Sequence, residues 1–487
     1  MSLSRHTTYN LIGALVPLQL SLVTVPAYLH LVGVERYGVL QIAWLLLGYF
    51  GLFDLGLGRA TSFRIAAQHT ASIEARAETF WSALLVNVAM GFTGGLVLWF
   101  CAQYAFVDHA SVSALMRPEM LAAIPFLAAS VPIATATGVL TGALQGREKF
   151  FETNSISVTS TVLFQLLALG IALFWLPYLP ALLAAALGAR LVGLSILMRR
   201  CWLELVVGAP IRISAEAMTS LLRYGGWVTL TAIFGPMLVM ADRFAMGAVL
   251  GMVAVAVYSI PYNLASRIAV MPAALTNALF PKLSSAAPHE ARAMGDAATT
   301  LMLCLISPPV LIAILAAEPF LKLWVGAQLG ASAAPVARIL ILAFWFNALA
   351  LVSFTRLQAR GRPDVVTKIL LVQIPPYWLA LYFGMTHFGL RGCALACLLR
   401  MVMDFGLQSW MSDGVKMRIA PVARYGAVLV GAIIIAARVS DNLLAFLCAS
   451  CVLVVLILAL AWRDLPSAMR ARLTAYRPIT AGLRWLS

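Results

Sequence analysis

The chain has 487 residues, 62% of them hydrophobic and 11% charged, with 34 Lys and Arg against 19 Asp and Glu for a formal net charge of +15. A water-soluble fold of this length cannot hide so much apolar surface, because its own surface must be solvated. A nucleic-acid-binding domain is excluded too: the basic residues sit in short gaps between apolar runs, where the loops of a membrane protein carry them.

The expected fold is therefore all-α and membrane-integral, each span needing ~20 mostly apolar residues. Arg5 precedes an apolar stretch from Leu11 to Val34, which is too long for the apolar region of a signal peptide and reads as the first span. In chain order the predicted spans are 10–33, 38–58, 80–104, 119–143, 154–176, 179–199, 225–248, 253–279, 299–321, 336–357, 365–385, 389–411, 421–438 and 442–462. That makes about fourteen transmembrane helices, joined by short connections without an inserted soluble domain.

Span 2 ends in Gly51-Leu52-Phe53-Asp54-Leu55-Gly56-Leu57-Gly58-Arg59. Its glycines allow close helix approach. Asp54 is either a site for a coupling ion or a tie to Arg59 or a neighbouring helix end. Span 4 offers Thr137, Thr141 and, just beyond it, Gln145. Span 6 carries Arg190, with no acid within a turn on its own helix. Span 7 carries Asp242-Arg243, which as helical neighbours are expected to point apart rather than pair. Asp242 is the second candidate for ion coupling. Span 8 carries Ser259, Tyr262, Asn263, Ser266 and Arg267 at helical spacing, with Pro261 interrupting the backbone ladder. That polar stripe lines water, or else forms a hydrogen-bonded seam between helices. In span 12, Arg400 and Asp404 share a face, either as a self-neutralising pair or as separate groups. The seven cysteines show no metal or disulfide spacing and read as small apolar packing residues. No motif for nucleotide hydrolysis, no catalytic constellation, no metal site and no cofactor is expected.

Charge within a span costs roughly 2.5–3.5 kcal/mol on insertion scales, so such residues face a cavity or a partner. The mid-span set, Asp54, Arg190, Asp242, Arg243, Arg267, Arg400 and Asp404, has four cations against three anions. An interior of that polarity suits an anionic substrate. Outside the spans, placing the N-terminus in the cytoplasm puts about 24 Lys and Arg on the cytoplasmic side and about 6 on the other, which predicts both termini inside.

Two halves resemble each other. Leu144-Gln145-Gly146-Arg147 after span 4 matches Leu357-Gln358-Ala359-Arg360 after span 10. Arg190 matches Arg400, and Gly33 to Leu40 matches Gly251 to Tyr258. Each match crosses six spans, which predicts a parallel repeat of two six-helix bundles around a central cavity, with two further helices at the C-terminus. The expected divisions are 1–205, 206–412 and 413–487, the last ending in a basic cytoplasmic tail.

Gly33-Val34-Glu35-Arg36-Tyr37-Gly38, followed by the Gly51 to Gly58 segment, resembles the start of bacterial polysaccharide-unit flippases. These are the Wzx-like members of the multidrug/oligosaccharidyl-lipid/polysaccharide exporter superfamily. Arg223-Tyr224-Gly225-Gly226-Trp227, Asp242-Arg243, Leu279-Phe280-Pro281-Lys282-Leu283-Ser284, Leu323-Trp324-Val325-Gly326 and Leu357 to Pro363 follow in order. The resemblance covers roughly residues 5 to 410. It implies a non-enzymatic flippase of the bacterial inner membrane that moves undecaprenyl-diphosphate-linked oligosaccharide units across the bilayer, by alternating access, for export of surface polysaccharide. Its implied partners are that lipid-linked oligosaccharide, membrane lipid, and a polysaccharide polymerase with its chain-length machinery. As a class, Arg190, Arg243, Arg267 and Arg400 would then hold the pyrophosphate, and Ser259, Tyr262, Asn263 and Gln145 would meet sugar hydroxyls. Two other classes are weighed against it. An ion-coupled drug/cation antiporter of the same superfamily would favour unpaired acids over cations. A membrane-embedded polymerase or ligase would need a long periplasmic loop that the sequence lacks.

Overall fold

The computed structural model describes residues 19–49, 57–68, 71–108, 113–175, 177–219, 242–413, 419–438, 442–465 and 470. Among these residues no strand occurs, and nine helices are long and apolar enough to cross a membrane. The chain is an all-α, multi-pass membrane protein. It divides into two compact units, residues 1–259 and 260–487. The predicted seventh span lies largely outside the described residues, as do Asp54 and the first residues of the predicted first span.

The first unit contains α1 (Gln19–Val32), α2 (Val34–Tyr49), α3 (Leu57–Ala67), α4 (Ile73–Asp108), α5 (Met116–Gly146), α6 (Phe150–Phe174), α7 (Leu179–Cys201) and α8 (242–249). The long helix α5 is its centre, despite Pro125 and Pro132 inside it. Small residues let its neighbours close in. A Cβ on Gly142 of α5 would overlap the backbone of Gly58 at the start of α3, and one on Gly95 of α4 would sit 2.8 Å from the Ala128 carbonyl oxygen. In lipid, where no hydrophobic force drives helices together, such backbone contact supplies the packing energy. At one end of this unit Glu119 accepts Arg36 Nε at 2.8 Å and Arg36 Nη2 at 2.5 Å. It also accepts the Leu179 amide at 3.2 Å, tying α2, α5 and α7.

The helix α9 (Met252–Ser266) starts in the first unit and ends in the second. It runs through Pro261 and gives way to a 3₁₀ turn at Arg267–Ala269 before α10 (Val270–Ser285). The second unit continues with α11 (Pro288–Val325), α12 (Ala327–Ala359), α13 (Pro363–Asp413), α14 (Ile419–Arg438) and α15 (Leu443–Asp464). The buried α12 is its centre, with Trp345 fully enclosed and donating from Nε1 to Ser307 Oγ at 3.0 Å. A helix of 51 residues such as α13 would reach ~75 Å, more than twice the bilayer core. It folds back at Gly389, whose φ of 56° and ψ of −133° are not helical. The two arms match the predicted spans 365–385 and 389–411 and meet backbone to backbone, since a Cβ on Gly392 would overlap Gly384. The two last helices dock on α11, with Tyr425 beside Cys304. The outermost, α15, buries only Ile457, so its leucines and valines face lipid. Cys101, Cys448 and Cys451 are exposed. They face outward and do not act as the packing residues expected, whereas the other four cysteines are buried.

The internal repeat extends to the backbone. Gly33 and Gly251, the paired positions before spans 2 and 8, have φ of 80° and 85°, and each carbonyl accepts the amide four residues on. After α5, the Glu148 amide donates to Gln145 O and the Lys149 amide to Leu144 O. After α12, Gly361 donates to Gln358 O and Arg362 to Leu357 O. Glu148 and Gly361 both take positive φ, 60° and 70°. These are the same helix-ending turn, made twice.

Candidate functional site

The hairpin of α6 and α7 carries Arg190, half-buried. Its guanidinium carbon lies 5.2 Å from the centre of the Phe164 ring, and its Nε is buried without a hydrogen-bond partner. Phe164 belongs to an aromatic cluster. Trp44 meets it edge-on at 6.0 Å between ring centres, and Tyr28 and Tyr37 meet Trp44 at 5.1 and 6.1 Å. Thr24 Oγ1 and Tyr28 OH both donate to Gln165, the neighbour of Phe164. One layer along the same hairpin, Gly193 faces Ser160, whose Oγ a Cβ would overlap.

The hairpin of the two α13 arms repeats this layout. Arg400 lies 5.5 Å from the centre of the Tyr377 ring, and its Nε is also buried without a partner. Tyr262 of α9 is within electrostatic range of it and stacks edge-on against Phe344 of α12 at 5.1 Å. In the next layer Asp404 replaces the small residue of the first half. Its Oδ1 accepts Nε2 of Gln373 and Nε2 of Gln408, both at 2.8 Å. The self-neutralising Arg400–Asp404 pair is therefore not formed: the carboxylate is taken by two carboxamides, while the arginine sits on a ring.

Asp242 and Arg243 overturn the expectation that they point apart. Asp242 Oδ1 accepts the Arg243 amide at 2.7 Å and Arg243 Nη1 at 3.2 Å, and Tyr258 OH donates to Oδ2 at 3.1 Å. The Arg243 guanidinium lies over the Tyr258 ring at 5.7 Å. Both charged side chains are buried. Adjacent Cα–Cβ bonds do diverge on a helix, but the flexible arginine stem folds back onto its neighbour.

The stripe on α9 divides along its length. Ser259 is buried with Oγ unpartnered, and Tyr262 is buried. Asn263 is exposed, while Ser266 and Arg267 are half-exposed at the 3₁₀ turn. Arg267 has no ion pair among the described residues. Gln145 is half-buried at the end of α5, where its carbonyl closes the turn. Thr137 bonds back to its own helix, donating to Ile133 O at 2.7 Å. Asp54 lies outside the described residues. No group of three or more His, Cys, Asp or Glu among the described residues is placed to hold a metal ion.

Of the nominated residues, the structure brings Tyr262 towards Arg400 and joins Asp242 to Arg243. The rings under the arginines and the two glutamines on Asp404 were not nominated. A signal for the rings was present. Phe164 and Tyr377 are 213 positions apart, the same offset as Gln145 and Gln358. Chemically, each half offers an arginine with unmet donor capacity on an aromatic platform, a setting that takes an anion beside an apolar or sugar face.

The family described as "Polysaccharide biosynthesis protein" matches residues 3–287. A protein of Shigella flexneri named "Putative O-antigen transporter" is 28% identical over 418 residues, covering 84% of this chain and 98% of its own length. Among solved structures, the lipid II flippase MurJ in an inward closed conformation superposes with a TM-score of 0.70 at 11% identity, over 94% of this chain and 99% of that one. An inward-facing multidrug resistance transporter of the MATE family and MOP superfamily gives a TM-score of 0.65 at 16% identity, over 85% and 99%. At these identities the two structures speak for the fold.

Proposed function

From its membership of the polysaccharide biosynthesis protein family, we propose that the chain is a flippase for lipid-linked oligosaccharides. It carries undecaprenyl-diphosphate-linked repeat units by alternating access for export of surface polysaccharide. The observation that carries this reading is the pair Arg190 and Arg400. Each half supplies one arginine at membrane depth, on an aromatic ring and with its Nε buried and unpartnered. A pyrophosphate needs such groups, and the guanidinium fork meets phosphate oxygens two at a time. The acids support the same side of the comparison. Among the described residues Asp242 is neutralised by Arg243 and Asp404 is held by two carboxamides, whereas Arg190 lies on a ring with no ion pair, opposite to the free acids a drug/cation antiporter would present. The name of the Shigella flexneri relative, "Putative O-antigen transporter", points the same way.

On this reading the protein lies in the inner membrane, and the Lys and Arg distribution supports both termini in the cytoplasm. Its work is transport without catalysis. A polymerase and its chain-length machinery take the product on the far side.

The test measures membrane expression and glycan export for Arg190→Ala, Arg267→Ala and Arg400→Ala. Normal expression with lost export is the expected result. Losing one charge-assisted contact costs ~1.5–3 kcal/mol, roughly tenfold to a hundredfold in affinity. Arg→Lys recovers part of it, because the ammonium cannot make the planar fork. Normal export at all three positions would overturn the reading. Lost expression at all three would make them structural ties.

A further inference from the structure

The α13 hairpin carries a groove that the transport reading does not use. It holds about 540 Å³ and runs between the two arms, from Ala380 and Leu399 to His387 and Phe388 beside the turn at Gly389. Its floor follows from Gly384 and Gly392. The arms meet there backbone to backbone, with no side chain to fill the space over the crossing. Phe383, Phe388, Leu395 and Leu399 stand exposed as its walls. From Ala380 to His387 the helix rises ~10 Å, most of the ~15 Å of hydrocarbon in one leaflet. A trough of that length and lining suits an alkyl chain lying along the membrane normal.

The mouth of the groove is polar. His387 Nδ1 lies 3.0 Å from Phe383 O and 3.0 Å from Thr386 Oγ1, and the threonine hydroxyl gives its own proton to Tyr382 O at 2.9 Å. A carbonyl only accepts, so Nδ1 carries the proton of the neutral ring and Nε2 is left as an acceptor. Nε2 has no hydrogen-bond partner among the described residues. Two residues past the turn, Arg391 is exposed and has no ion pair among the described residues. One permanent cation and one ring acceptor therefore flank the same end of an apolar trough.

We propose that this groove binds one phosphatidylglycerol molecule. Its phosphodiester meets Arg391, a glycerol hydroxyl donates to His387 Nε2, and one acyl chain lies between the arms. The arginine stem reaches outward along apolar surface, and its fork fits phosphate oxygens. A single cation matches a singly charged phosphodiester and leaves a pyrophosphate under-neutralised. Phosphatidylcholine cancels its own phosphate and has no hydroxyl to offer. A lipid that binds only the folded hairpin stabilises it by mass action. None of this depends on the flippase reading.

The test places the full chain in phosphatidylcholine nanodiscs containing equal fractions of phosphatidylglycerol, phosphatidylserine and undecaprenyl phosphate. After extraction into detergent, mass spectrometry counts the lipids that stay with each chain. The thermal unfolding midpoint is measured with and without phosphatidylglycerol. One retained phosphatidylglycerol per chain is expected, about fivefold enriched over phosphatidylserine for one extra hydrogen bond, together with a raised midpoint. Arg391→Gln should lower retention about tenfold, whereas Arg438→Gln, at another exposed arginine, should not. His387→Phe should abolish the preference over phosphatidylserine and keep that over phosphatidylcholine. Ala380→Phe should block the groove and remove the lipid effect on the midpoint. If that variant is already less stable in phosphatidylcholine alone, the two exposed positions decide. Undiminished retention in Arg391→Gln would overturn the site, and so would a wild type that keeps no phosphatidylglycerol. Equal retention of phosphatidylserine would overturn the role of His387. Preferential retention of undecaprenyl phosphate would overturn the choice of lipid and give the groove to a polyprenyl chain.

Discussion

An arginine over an aromatic ring in the bilayer core keeps its charge while giving up most of its water. The ring's negative face replaces part of that hydration and leaves the in-plane N–H donors open to a ligand. Phe164 and Tyr377 should therefore matter to substrate affinity without touching substrate. Such a contact is worth ~0.5–2 kcal/mol, so Phe164→Leu is expected to weaken lipid-diphosphate binding by about twofold to thirtyfold. Phe164→Tyr should keep it. Equal affinities for Leu and Tyr at that position would show the ring to be packing alone. The arginines were legible in the sequence because a charge within an apolar run stands out. Their rings were not, because an aromatic residue in a spanning helix looks like any other lipid-soluble side chain. Asp242 and Arg243 were legible as a buried charged site but misread as diverging, since helix geometry fixes the Cβ direction and leaves the end of an arginine free.

At the scale of the element, the α13 hairpin sets the register of the second half. Gly384 and Gly392 hold the arms together, and Tyr377 with Arg400, then Gln373 with Asp404, follow as successive layers. A Cβ on Gly392 meets backbone that cannot yield, whereas Gly406 on the same arm faces open space. Gly392→Ala is expected to reduce folded protein recovered from membranes sharply. Gly406→Ala should leave it equal or gain up to about 1 kcal/mol from helix propensity. Detergent-extracted yield and unfolding midpoint check both, and equal behaviour of the two variants would contradict the close crossing. The spans themselves were readable from hydropathy and length. That a single residue, Gly389, turns the chain was not, because a lone glycine in an apolar run carries no mark of its φ. For α9 the sequence pointed to Pro261, but the helix gives way at Arg267–Ala269. Neighbouring helices sustain a proline kink in lipid.

For the whole molecule, the excess of Lys and Arg on one side predicts the topology. Reporter fusions after Ser111 and Gln328 should report a periplasmic location, and those after Glu152 and Pro288 a cytoplasmic one. A cytoplasmic signal after Ser111 would overturn the map. The repeat was legible at three short matches, and the backbone adds what those matches could not, since the same left-handed turns recur where the side chains differ, as in Glu148 and Gly361. The layer beneath the paired arginines has a further consequence for descent. If one six-helix unit was duplicated, the two copies began with the same chemistry and have since parted at this layer, Ser160 and Gly193 in one, Gln373 and Asp404 in the other. Among the described residues only the second copy carries an acid in this layer, so a substitution tolerated there need not be tolerated at the matching position of the first.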